Sequence, residues 1–223
     1  MKLETWLRMA GVQYDIAPPD FSRAPKGKIP YVDIDGVLMG DSTLVVEHLA
    51  VTRGLDMDRG LRPAERAVSL AFRRMMKEHL YWVLMYDRWI DPSNFAIFEP
   101  LFLRLYFPEL PLEEQRAVVA SVREQIKAQC HAQGMSRHAP AEVHRLGIAD
   151  LQALSDFLED KPFLMGEVPT TADAAVYAHV ANVLGGLLVS PVKEYGRGLP
   201  NLLAYCERMR ARFFPDLPEN AAV

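Results

Sequence analysis

Asp41 and Ser42 stand side by side ahead of the apolar run Leu44, Val45, Leu49 and Ala50. Asp and Ser are favoured helix N-cap types, and capping alone accounts for the pair. A helix start also presents free N–H groups and a partial positive charge, a ready site for a carboxylate. Ser42 adds a hydroxyl donor and Asp41 can accept from an ammonium group, so together they suit an amino-acid head group. Upstream, Ile29-Pro30 falls where a strand begins. Proline is tolerated there because its missing N–H is not needed. A cis bond at the same place would turn the backbone N–H and C=O of Ile29 outward, toward an extended peptide-like ligand.

A second cluster, Arg73, Arg74, Glu78, His79, Tyr81 and Trp82, crowds one helical stretch. Arg74 and Glu78 are four apart and suit a surface ion pair. The alternative is that Arg73, Arg74, His79 and Tyr81 line a second-substrate or partner pocket. Cys130, His131, His138 and His144 carry metal-ligating atoms, but their spacing fits no zinc pattern, and no metal is expected. Thr170 and Asp173 have the spacing of a capping box, a structural device.

These residues need elements to hold them. Leu3, Trp6, Leu7 and Ala10 give a helix over 2–10 closed by Gly11. Val12, Tyr14 and Ile16 alternate as a short strand before Pro18 and Pro19. "YVDIDGVLM" reads as strand, Asp-Gly turn, strand. A helix over 42–52 follows. From residue 63 the pattern is helical only: one long helix over 63–89, then 112–132, 141–159, 171–187 and 199–213. The organisation predicted is a small α/β domain over 1–56 and an all-α domain over 63–223.

The charge of −4 over 223 residues points to neither nucleic acid nor an anionic membrane as partner. Two cysteines, Cys130 and Cys206, are too few for a disulfide framework and read as small core residues rather than redox centres. The expected setting is reducing and cytoplasmic. No apolar run is long enough for a membrane helix, and "MKLETWLRMAG" lacks the apolar core of a signal peptide.

"GKIPYVDIDGVLMGDSTLVVEHL" resembles the second half of the thioredoxin-like domain of glutathione transferases, and "PFLMGEVPTTADAAVYAHVANVL" resembles the capped core helix of their helical domain. "AFRRMMKEHLYWVLMYDRWIDPSNF" and "GMSRHAPAEVHRLGIADLQALSDFLEDKPFLMG" are similar to the failed-axon-connections and metaxin-related branch. The resemblance covers almost the whole chain. It implies an α/β thioredoxin-like N-terminal domain and an all-α C-terminal domain. It also implies glutathione as substrate, with Pro30 as a cis-proline, Ile29 pairing with the cysteinyl part, and Asp41 and Ser42 holding the γ-glutamyl end. The family pattern has a further strand and a Ser, Cys or Tyr loop before the first helix here. The thioredoxin-like domain is thus expected to lack its first strand, Met1 to be internal to a longer natural protein, and no catalytic residue is assigned. The implied activity is conjugation or exchange of the glutathione thiol with a small electrophile, in a possible homodimer. The rival is a non-catalytic binding module like the metaxins.

Overall fold

A computed structural model describes residues 1–217. Helix α1 (Lys2–Met9) buries Leu3, Trp6 and Leu7 on one side. Strands β1 (Tyr31–Ile34) and β2 (Val37–Gly40) form an antiparallel hairpin with Ile34 opposite Val37. Its turn places Asp35 at φ 53° and Gly36 at φ 86°, the left-handed pair that an Asp-Gly turn accepts. The Asp33 carboxylate accepts the Gly36 N–H at 2.8 Å. Helix α2 (Ser42–Thr52) follows and buries Val45 and Leu49 against α1, while Leu44 faces outward.

The remaining elements are helical: α3 (Pro63–Met75), a π-helical turn (Met76–Leu80), α4 (Tyr81–Trp89), α5 (Pro92–Tyr106), α6 (Leu112–Gln133), α7 (Pro140–Leu158), α8 (Thr171–Leu184), α9 (Pro191–Arg197) and α10 (Pro200–Phe213). Prolines open α3, α5, α7, α9 and α10 at a first-turn position, where their missing N–H has no helical partner to lose. The main core gathers Met76, Leu80, Val83, Leu151, Leu154, Val176, Tyr177, Val180, Leu202 and Tyr205. Ala174 on α8 belongs to the cluster that contains Trp6, Leu7 and Val45; α8 is the floor on which α1 rests, and α2 packs on α1.

Four sequence expectations are corrected. Residues 12–16 form no strand: the segment has no ladder partner among the described residues, Ile16 is exposed, and the Tyr14 hydroxyl turns back to Glu4 and Arg8. The long helix over 63–89 is interrupted by the π turn. Helix α8 stops at Leu184 because Gly185 and Gly186 follow, the latter at φ 68°. Helices α5 and α9 had no counterpart in the sequence reading: α5 carries Pro100 in its interior, and α9 is only seven residues long.

Candidate functional site

The start of α2 is built by the hairpin that precedes it. The Ile29-Pro30 peptide is cis and leads directly into β1. Ile29 is partly exposed. Strand β2 then delivers Asp41 at φ 76° and ψ 112°, a conformation uncommon for a residue with a side chain and of a kind that clusters at ligand sites. From there the Asp41 Oδ1 accepts the Thr43 N–H at 2.7 Å, and the Asp41 carbonyl accepts the Val45 N–H at 3.0 Å. Ser42 is buried beside it, and its N–H, the first of the helix, has no intrahelical acceptor.

Cations from other elements meet at this corner. The Lys77 ammonium, on the π turn, donates to Asp41 Oδ2 at 3.1 Å. Burial opposes the charge on Asp41, but the Thr43 N–H and Lys77 outweigh it and hold the carboxyl down at about 2. Lys2, at the start of α1, is pushed down to about 8 by burial and by the neighbouring charge of Lys77, against the attraction of Asp41. Arg73 adds a smaller repulsion. The corner thus offers a helix N-terminus, one carboxylate and several lysine and arginine charges within mutual reach. Sequence reading missed Lys2 and Lys77, because each is unremarkable in its own helix and only the fold brings them to Asp41.

The residues proposed for a second-substrate pocket are turned in different directions. Arg74 pairs with Glu78 at 3.6 Å on the surface. The His79 Nδ1 lies 2.6 Å from Asp150 Oδ2 on α7, and burial raises the pKa of that carboxyl. Tyr81 sets its ring edge-on to Trp82, and Arg73 lies toward Lys2. None of the four lines the cavity of about 240 Å³ found between α4, α5 and the segment 185–193.

Of the soft ligands, Cys130 is fully buried and its thiol is pushed up to about 11 by that burial. Burial likewise pushes the Cys206 thiol up to about 12. His144 faces Asp87 at 3.0 Å, His138 approaches Glu142 at 3.8 Å, and the His131 carbonyl accepts from Arg137. The Thr170–Asp173 capping box forms at the start of α8. The buried Asp173 carboxylate accepts the Thr170 N–H at 2.7 Å, the Thr170 hydroxyl at 3.0 Å, the Leu164 N–H at 2.8 Å and the Tyr205 hydroxyl at 3.1 Å.

Residues 1–94 match the family model of the glutathione S-transferase N-terminal domain, and residues 147–209 match that of the C-terminal domain. The isoprene-epoxide–glutathione S-transferase of Rhodococcus sp. (strain AD45) is 32% identical over 222 residues, covering 95% of this chain and 90% of that protein. Failed axon connections of Drosophila melanogaster is 29% identical over 98% of this chain but only 54% of its own length. Metaxin-2 of Mus musculus is 23% identical over 86% of this chain and 72% of its own. Among solved structures, a Bombyx mori glutathione transferase superposes with a TM-score of 0.57 at 17% identity, over 96% of this chain and 83% of that one. The beta-etherase of Sphingobium sp. gives 0.57 at 17%, over 94% and 89%. These structures share the fold of a small thioredoxin-like unit on a helical one. Domain matches at both ends and a relative 32% identical over nearly the full length of both proteins lead to one conclusion: the chain belongs to the glutathione S-transferase family.

Proposed function

We propose that the chain binds glutathione at the α2 corner and joins or exchanges its thiol with a small electrophile. The observation that carries this reading is the Asp41–Ser42 helix start with Lys77 and Lys2 around it. The γ-glutamyl group of glutathione bears an ammonium and a carboxylate. Asp41 accepts the first, while the Ser42 N–H and hydroxyl, supported by the cations, take the second. Ile29 and Pro30, at the entry to β1, lie alongside the cysteinyl part.

Chemistry of this kind needs the thiol as thiolate, its proton released to solvent. The sulfur attacks an electrophilic carbon; a C–S bond forms and the bond from that carbon to the leaving atom breaks. In an epoxide that atom is the ring oxygen, which then takes up a proton. Similarity to a bacterial isoprene-epoxide transferase makes small epoxides the first electrophiles to assay. The cation cluster favours the bound anionic ligand, and we assign no side chain of this chain as the thiol-activating group.

Similarity to the metaxins supports a second reading, a glutathione-transferase fold that binds without turnover. Titration calorimetry with glutathione on the full chain and on Asp41→Asn, followed by a turnover assay with a monosubstituted alkyl epoxide, separates the two. Binding that weakens in the variant, with turnover, is the expected result. Binding without turnover favours the second reading, and absence of glutathione binding overturns both.

A further inference from the structure

The cavity of about 240 Å³ between α4, α5 and the segment 185–193 has apolar walls that include Leu101, Leu105, Phe98 and Leu187, and its charged lining residues are Asp87, Arg88 and Lys193. The Arg88 guanidinium is an unusual choice for that wall. One of its N–H groups donates to Asn182 Oδ1 at 2.6 Å, and the group stands over the Phe98 ring with its carbon 5.7 Å from the centroid. No carboxylate lies within ion-pair distance of it among the described residues. Asp87, the adjacent acid, is engaged by His144 instead.

A guanidinium removed from water without an ion-pair partner is costly, and here burial depresses its pKa, an effect that the neighbouring charge of Asp87 offsets only in part. Its planar donors fit the two oxygens of a carboxylate in parallel. Lys193 on the other side does not offer a second charge of the same kind: its ammonium is consumed by the Gly186 and Leu188 carbonyls at 2.8 and 3.1 Å, and so fixes the turn that forms the rim. The cavity is therefore mostly apolar and firmly rimmed, and with Asp87 held by His144 and Lys193 by the rim carbonyls, Arg88 is the charged group in its lining that keeps unused donors.

We propose that this cavity binds a small organic monocarboxylate, its carboxylate paired with Arg88 and its apolar body against Phe98, Leu101, Leu105 and Leu187. The site is separate from the Asp41 corner and its occupancy is measured without glutathione, so failure of the proposed transferase activity leaves it standing, and the converse holds.

The test uses benzoate and its neutral counterpart benzyl alcohol as probes, with binding to the full chain followed by ligand-observed NMR. Benzoate is expected to bind at least about tenfold more tightly than benzyl alcohol. Arg88→Gln is expected to remove that preference and leave benzyl alcohol unchanged. Equal binding of the two probes, no benzoate binding, or a preference that survives Arg88→Gln overturns the proposal. Should Arg88→Gln not fold, Leu101→Trp fills the cavity from α5. Loss of benzoate binding is then expected, and binding that persists in it overturns the proposal equally.

Discussion

The Lys77 ammonium lies 3.1 Å from Asp41 Oδ2 and ties the π turn of the helical bundle to the first residue ahead of α2. Both side chains are about a third exposed, so solvent screening limits the pair to about 1 kcal/mol of stability. The sign of its pH dependence follows from the depressed Asp41 pKa. The contribution is complete above the unfolded carboxyl range, about 4, and is lost as pH falls through about 2. In Lys77→Met the Asp41 carboxyl should titrate upward, toward the ordinary range, when followed by NMR. An Asp41 resonance that titrates identically with and without Lys77 contradicts the pairing.

Ligand binding at the same corner is more sensitive than stability. Asp41→Asn keeps the shape and an acceptor for the Thr43 N–H but removes the charge that meets an ammonium. Glutathione affinity is expected to fall about tenfold, or about 1.4 kcal/mol, in calorimetric titration. Urea stability should change by no more than about 1 kcal/mol.

The Asp173 carboxylate is a structural hub, with donors from Leu164, Thr170 and Tyr205 converging on it in a buried site. Thr170→Ala removes one hydroxyl from the cap and should cost about 1 kcal/mol. Asp173→Ala strands two buried N–H groups and a buried phenol, and should cost about 3–5 kcal/mol. Chemical denaturation of the two variants tests the ranking; equal losses would show that the carboxylate matters only as a cap.

Close packing of α7 makes a prediction of a different kind. A Cβ on Gly147 would stand 2.9 Å from Val83 Cγ1 and 3.1 Å from Val192 Cγ2. Both neighbours are β-branched and cannot swing aside cheaply. Gly147→Ala should therefore destabilise by about 1–3 kcal/mol in thermal or urea unfolding. Glutathione affinity of the folded variant should be unchanged, since α4, α7 and α9 meet here away from Asp41.

Local chemistry was the legible part of this molecule. The Asp35-Gly36 turn, the Asp41 cap and the Thr170–Asp173 box are all written in residues within a few positions of one another. The start of α3 at Pro63 was legible too, but proline alone did not reveal α5 or α9, which open on Pro92 and Pro191. What needed the fold was convergence: Lys2 and Lys77 come to Asp41 from other helices, and His79 meets Asp150 across 71 positions of sequence. The alternation at Val12, Tyr14 and Ile16 misled because a strand needs a neighbour as well as a pattern. Without one, the Tyr14 hydroxyl went to Glu4 and Arg8 instead. Arg88 was equally invisible, since nothing in "YDRWI" reveals a guanidinium facing a cavity.

His179 on α8 gives the last test, one that depends on burial more than on any single partner. Burial holds its pKa down to about 4; the bond from Nδ1–H to the Ala175 carbonyl at 2.7 Å opposes this, and the cations Lys2 and Arg88 reinforce it. An unfolded histidine titrates near about 6.5, so the unfolded chain takes up its proton first as the solution is acidified. The stability associated with neutral His179 is present above about 6.5 and is lost progressively as pH falls to about 4, by up to about 3 kcal/mol. Replacement by Gln keeps a donor for the Ala175 carbonyl and removes the titration. The urea midpoint of His179→Gln should therefore fall less between about pH 7.5 and about pH 4.5 than that of the parent protein. Parallel curves would mean that His179 reaches water in the folded chain, and that the cations around it do not govern its charge.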